Sequence, residues 1–216
     1  MLLDWRRNKI PVKKLGWFRK QLGAAGKRIF HWKIDKISLF SLNVFIRCLM
    51  RMYASFNDGD YEKGLNAFCK HVEEEARNLI FDIINEPILF GITMDSIISK
   101  EPEDIVYIAT TLFWAMIGKD YKDLWEQLEL VKEDNGAYKL TMREKICIIC
   151  SEETQLTQDM LGSRNFGDIF ASLLVGILQA LEEFVGNKYQ ITGKETKCML
   201  KGDSHGEISI WMTPTS

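Results

Sequence analysis

The hydrophobic period of this chain changes partway along the sequence, and that change limits the folds available to it. From Ser41 to Phe56 and from Tyr61 to Ile84, apolar residues recur at helical spacing, with a turn at Asn57–Asp60 between them. From Leu124 to Met142 the apolar residues alternate around Asp134-Asn135-Gly136, which is a strong hairpin signal. The first half is therefore predicted to be helical, and a sheet is predicted to begin after it.

The remaining elements complete the predicted fold. Ser99 and Pro102 start a third helix that ends near Ile117, a fourth runs from about Phe166 to Val185, and a second hairpin spans Tyr189–Met212. The apolar run Ile146–Cys150 could extend the sheet. This order predicts an α+β fold, with an N-terminal antiparallel helix pair and further helices packed on a four-stranded antiparallel sheet made of two hairpins.

Charge is divided unevenly along the chain. Residues 1–37 carry eleven Lys or Arg and two Asp, a net of +9, whereas the remainder carries 17 basic and 28 acidic residues, a net of −11. We therefore divide the chain into a basic, aromatic-rich extension (1–37) and a domain (38–216). The extension could pack on the chain's own acidic body, which is the simplest interpretation, or lie on an anionic membrane, and nucleic acid is the least favoured partner. The candidate membrane contacts are Trp5, Arg6, Arg7, Lys13, Lys14, Trp17, Phe18, Arg19 and Lys20.

The five cysteines indicate the compartment. Their odd number and irregular spacing argue against a secreted disulfide framework and favour a reducing cytoplasm. No secretory signal is visible, and the longest uncharged runs are too short to span a bilayer, so we expect a cytoplasmic protein that is at most peripheral to a membrane. Cys147 and Cys150 have redox or zinc spacing, but on a strand they would point to opposite faces, and apolar core residues are the better interpretation.

The chain shows few groups that suggest chemistry. It lacks the motifs of serine hydrolases, nucleotide-binding loops and zinc proteases, so we expect no enzymatic activity, no catalytic residue and no cofactor. Glu195, Cys198 and His205 are residue types that could bind zinc, one pair on a strand and the third on the adjoining turn. A plain hairpin with a polar turn is the favoured alternative.

The first two helices carry more apolar positions than one buried stripe requires. Surplus apolar surface is typical of an interface, so we predict a dimer that packs through these helices. The predicted interface residues are Phe45, Ile46, Leu49 and Met50 in the first helix and Phe68, Leu79 and Ile80 in the second.

Three short motifs in the C-terminal third carry a resemblance to a known family. Leu173–Val185 contains Leu-Leu-Val-Gly-Ile-Leu, Leu200–Asp203 reads Leu-Lys-Gly-Asp, and Glu207–Met212 begins with Glu-Ile. In this order they resemble the core small subunits of the TRAPP vesicle-tethering complex, within a superfamily that includes vinyl-4-reductase-type domains. The resemblance covers roughly residues 40–212. Gly206 stands where the superfamily's second metal-site cysteine would fall, and His205 is beside it.

The resemblance implies a function for the chain. Its members are scaffolds that dimerise through their first two helices, form an apolar channel beneath the sheet and work beside membranes. We therefore expect a non-enzymatic tethering subunit that forms a homodimer, or a heterodimer with a related subunit, and that can hold a hydrophobic ligand. The segment that matches the family's acylated cysteine, about Phe90–Lys100, has no cysteine. The alternative is a sensor domain that binds a small hydrocarbon or lipid, with or without zinc.

Overall fold

A computed structural model of the chain describes residues 8–17, 19–21, 39–84, 98–117, 125–144 and 158–215. Outside these ranges lie several residues named above, including Trp5, Arg6, Arg7 and Phe18, the run Ile146–Cys150, and most of the segment 90–100. Within the described ranges the helices are α1 (Leu39–Ser55), α2 (Tyr61–Ile84), α3 (Pro102–Ile117), α4 (Gln158–Leu161) and α5 (Asp168–Phe184).

The strands form one sheet. They are β1 (Asn8–Lys9), β2 (Trp125–Lys132), β3 (Tyr138–Glu144), β4 (Tyr189–Lys197) and β5 (Gly206–Pro214), in the order β1-β2-β3-β5-β4. The pairs β2–β3, β3–β5 and β4–β5 are antiparallel. The prediction of an α+β fold with a four-stranded antiparallel sheet of two hairpins is confirmed, and β1 adds a short parallel strand to one edge.

Helix α5 lies at the centre of the molecule, packed against α2 on one side and β4 on the other. Most residues of the helix are buried, because it is apolar on nearly all sides and is covered by both α2 and the sheet. Gly176 is required for the approach of α2, since a Cβ there would lie 2.3 Å from the Glu73 carbonyl oxygen. The helix ends where the sequence predicted, because Gly186 adopts a positive φ of 80° that disfavours other residues.

The first two helices form the predicted antiparallel pair. Their turn contains Asp58 and Gly59, both with positive φ, and it allows α2 to begin directly against the end of α1. A Cβ on Gly64 would lie 2.7 Å from the Ala54 backbone nitrogen, so the helices meet at a residue without a side chain. Helix α2 also packs on α5. It therefore lies between α1 and the rest of the core.

The N-terminal residues correct the predicted domain boundary. Asn8 and Lys9 pair with Leu128 and Glu129 on β2, and the side chains of Ile10 and Leu15 are buried in the same core as the helices and sheet. Residues 8–15 therefore pack as part of the domain that the charge pattern predicts to begin at residue 38. Such a short pairing has no sequence pattern of its own and depends on the tertiary fold.

Candidate functional site

Helix α1 has two apolar faces, and only one of them is covered. Ile46, Met50 and Ala54 are buried in the interior of the chain. The opposite side exposes apolar side chains at intervals of about four residues, so that they form one stripe along the helix. This outer stripe consists of Val44, Phe45, Met52 and Phe56, with the exposed Cys48 between them.

The exposed fractions of the outer stripe are large for residues of this type. Phe45 is 60% exposed and Phe56, at the start of the turn after the helix, is 77% exposed. Leu79 on α2 is also exposed. Single exposed apolar residues are ordinary on protein surfaces, but a row of them along one helix is typical of an interaction surface.

The structure divides the seven residues predicted for a dimer interface into two groups. Ile46, Met50, Phe68 and Ile80 are buried within the single chain, so the prediction that they contact a partner is corrected. They fill the core because α2 lies between α1 and α5 and must be apolar on both sides. Leu49 is half-buried, and Phe45 and Leu79 are exposed; they remain available to a partner. Val44, Met52 and Phe56 were missed, although Met52 and Phe56 share the helical spacing of Phe45.

Charged side chains occupy the exposed surface of α2. Glu74 and Glu75 are exposed, and Lys70 pairs with Glu74 at 3.8 Å. His71 is exposed, and its Nδ1 lies 3.1 Å from the hydroxyl of Tyr53 on α1.

A polar cleft of about 430 Å³ lies on another part of the surface, between α2, α5 and the β4 edge. Arg77 donates to Glu183 through Nε and Nη2, at 3.2 and 2.7 Å, and Gln179 donates to Glu73 at 3.0 Å. These hydrogen bonds join α2 to α5. They give the four polar side chains a structural role in holding the two helices together.

The Leu-Lys-Gly-Asp motif forms a structural turn between β4 and β5. Lys201 donates its ammonium to the carbonyl oxygens of Gly162 and Arg164, at 3.0 and 2.9 Å. Gly202 has a left-handed φ of 90°, and the Asp203 carboxylate accepts the backbone amide of Cys198 at 2.7 Å. The motif therefore fixes the hairpin to the loop before α5.

The predicted zinc ligands Glu195, Cys198 and His205 do not form a metal site. No group of three or more His, Cys, Asp or Glu side chains suited to a metal occurs within the part of the chain that the structure describes. A β-bulge after Glu195 does bring its carboxyl within hydrogen-bonding reach of the Cys198 thiol. His205 instead approaches Ser204, with 3.0 Å between Nδ1 and Oγ. Burial raises the pKa of the Cys198 thiol to about 11, so in the absence of a bound cation the thiol stays protonated at neutral pH.

Glu195 has a structural role in the fold. Its carboxylate accepts the backbone amide of Gly167 at 2.8 Å, at the N-terminus of α5, and its own amide donates to Asp168 at 2.7 Å. A carboxylate is favoured there because the free amides and the helix dipole are positive at that end. These bonds join the end of β4 to the start of α5.

Two further carboxyls are buried without enough partners to ionise easily. Burial, together with the neighbouring Glu195, raises the pKa of Glu144 to about 8. Burial likewise raises the pKa of Glu195 and of Glu182 to about 7. One oxygen of Glu144 and one of Glu182 are buried without a hydrogen-bond partner. These groups make the stability of the fold depend on pH.

The predicted membrane contacts also fall into two groups. Lys13 and Lys14 are exposed and form ion pairs with Glu103 and Glu101, each at 2.5 Å, so each lysine has a carboxylate of the acidic body beside it. Trp17, Arg19 and Lys20 are exposed, and Trp17 is 74% exposed. None of the described helices has the length and apolar character needed to cross a membrane.

Comparisons with known proteins find similarity only among solved structures. No protein-family model and no curated protein matches the chain. The chain is similar to a solved structure described as a trafficking protein particle complex subunit 3 from Naegleria fowleri covalently bound to palmitic acid. The TM-score is 0.42 with 15% sequence identity, over 78% of this chain and 96% of that chain. A similarity of this strength does not by itself assign the family.

Proposed function

We propose that this chain is a non-enzymatic scaffold subunit of the TRAPP type, which assembles with a second copy or with a related subunit through the outer stripe of α1. The observation that carries the proposal is the row of exposed apolar side chains from Val44 to Phe56. Covering these side chains would remove a large apolar area from water, and that is the dominant favourable term in most protein association.

The geometry of the helix pair supports an assembly role. The buried face of α1 is packed against its own chain. The outer stripe lies on the opposite face, so it is the side of α1 that a partner would cover. Because α1 and α2 meet closely at Gly64 and Ala54, the stripe lies on a helix that is packed against its own chain.

The motifs of the C-terminal third also support the proposal. In the structure, the Lys201–Asp203 turn and the start of α5 form hydrogen bonds that hold the fold together. A scaffold needs motifs of this kind to hold its shape. The motifs that resemble the TRAPP small subunits therefore have a physical explanation that is consistent with a structural protein.

Sedimentation velocity ultracentrifugation tests the proposal. We expect the full chain to form a dimer at tens of micromolar, and Phe56→Asp, like Met52→Asp, to weaken it about thirtyfold or more. In a two-fold interface each substitution occurs twice, and a contact at the centre of the interface can contribute more than about 1 kcal/mol. Val131→Asp, which places the same charge on an exposed apolar site of β2, is the matched control and should sediment as the wild type does.

Other outcomes would decide between the alternatives. A wild-type chain that remains monomeric, and that does not bind a related subunit when the two are co-expressed, would overturn the proposal. Native mass spectrometry of the same untreated sample would show a bound lipid or metal. A monomer that carries either in stoichiometric amount would favour the sensor function instead.

A further inference from the structure

Residues 13–15 are attached firmly to the acidic body, and this attachment determines where the next residues lie. The backbone amides of Lys13, Lys14 and Leu15 donate to the Asp104 carboxylate, at 2.8, 2.8 and 3.2 Å. Asp104 is buried and also accepts a hydrogen bond from Ser99 at 2.7 Å. Bonds to a charged group are about twice as strong as neutral ones, so the chain is held in place up to Leu15.

Immediately after this attachment the chain presents a large aromatic side chain to solvent. The Leu15 side chain is buried, whereas Trp17, two residues later, is 74% exposed. Arg19 and Lys20, on the same short helical segment, are also exposed. An exposed tryptophan beside two cations differs from the rest of the described surface, where the other exposed apolar residues are aliphatic or phenylalanine.

Four basic residues lie close to Trp17 in the sequence, and two of them form ion pairs with the acidic body. Lys13 and Lys14 are paired with Glu103 and Glu101. These ion pairs attach the segment, and each carboxylate offsets part of the attraction of its lysine for an anionic surface. Arg19 and Lys20 follow the attachment in the sequence and, like Trp17, are exposed.

We propose that Trp17, Arg19 and Lys20 form a membrane contact, in which the indole lies at the interface of an anionic bilayer and the two cations lie beside lipid phosphates. Tryptophan favours the boundary between headgroups and acyl chains, and basic residues are attracted to anionic leaflets. The rest of the chain beyond residue 37 has a net charge of −11, from 17 basic and 28 acidic residues. This charge disfavours a nucleic acid that would wrap around the protein, whereas a planar bilayer touches only one face.

Co-sedimentation of the full chain with vesicles tests this inference, using phosphatidylcholine vesicles with and without phosphatidylserine at low salt. We expect binding to the anionic vesicles only. Arg19→Gln with Lys20→Gln should lower the partition coefficient about 30-fold, since each basic residue at an anionic surface contributes about fivefold. Trp17→Ala should lower it by about fivefold or more, because the indole leaves water when it inserts.

Matched substitutions elsewhere serve as controls. Lys63→Gln with Lys70→Gln removes two exposed cations from α2, and Met160→Ala shortens an exposed apolar side chain on α4. Both should bind vesicles as the wild type does. The assembly surface on α1 is unchanged in all of these proteins, so sedimentation velocity distinguishes a failed membrane contact from a failed scaffold proposal.

Two results would overturn the inference. One is binding that is unaffected by the substitutions at Trp17, Arg19 and Lys20. The other is binding that depends on the two cations but not on Trp17 and that a single-stranded oligonucleotide abolishes, since this would identify a general polyanion site.

Discussion

Glu144 should make the protein less stable as the pH rises, and Glu144→Gln should remove much of that loss. The carboxyl lies at the end of β3, 5% exposed, and one of its oxygens has no hydrogen-bond partner. Burial and the neighbouring Glu195 raise its pKa to about 8, from an ordinary value of 4.5. Glutamine has nearly the same shape and does not ionise in this range.

The sign of the effect follows from proton binding. Between pH 4.5 and about 8 the folded chain retains the Glu144 proton while the unfolded chain releases it, so stability is highest at low pH and falls as the pH rises. Integrating this difference from pH 6 to pH 9 gives a loss of about 2 to 3 kcal/mol from this one carboxyl. Glu182 adds a loss of the same sign, which is present in both proteins and cancels in the comparison, whereas the repulsion between Glu195 and Glu144 is part of the measured difference.

Guanidinium unfolding of the wild type and of Glu144→Gln, at pH 6 and at pH 9, measures the difference. We expect the wild type to lose about 2 to 3 kcal/mol more than the variant over this range. Glu75→Gln, on the exposed surface of α2, should follow the wild type. If the wild type and Glu144→Gln lose stability in parallel, then Glu144 is not a buried neutral acid and the reasoning fails.

Three further substitutions test other parts of the structure. Gly176→Val should destabilise the fold by about 2 kcal/mol or more in thermal unfolding, because its side chain would displace α2; Gly176→Ala should cost less, and equal stability of both variants with the wild type would refute this packing. Gly202→Val should cost about 1 to 2 kcal/mol because of the left-handed backbone, and Gly202→Asn less, so an unchanged melting temperature for Val would contradict the turn geometry. Asp104→Asn should increase hydrogen exchange at residues 13–15, and unchanged protection there would show that the carboxylate does not hold the segment.

The secondary structure could be predicted from the sequence because each element carries its own local signal. Helix α2 begins at Tyr61 and ends at Ile84 as predicted, and α3 runs from Pro102 to Ile117. Strand β3 shows the alternation of buried and half-buried residues expected for Tyr138 to Glu144. Strand β1 was not predictable, because two residues have no period and their pairing depends on an edge that forms only in the folded chain.

The candidate surface could be predicted only in part. Helical spacing shows that α1 has two apolar faces, but spacing alone does not say which face meets α2. The face of α1 that carries Ile46 and Met50 is buried, because α1 and α2 approach closely at Gly64. The sequence pattern does not reveal that contact. Glu195 is a similar case, because its main partner, the Gly167 amide, lies 28 positions away along the chain.

The solvent accessibility of the Cys48 thiol tests the central claim most directly, since Cys48 lies within the outer stripe of α1 and is exposed in the single chain. A maleimide reagent and peptide mass spectrometry would give its labelling rate at submicromolar and at tens of micromolar protein. If a partner copy covers the stripe, the rate at Cys48 falls as the concentration rises, and Phe56→Asp restores it. In a mixture with a related subunit, the same protection should appear when that subunit is added. A Cys48 thiol that reacts equally fast in every sample would contradict the account, because the stripe would then remain open to solvent.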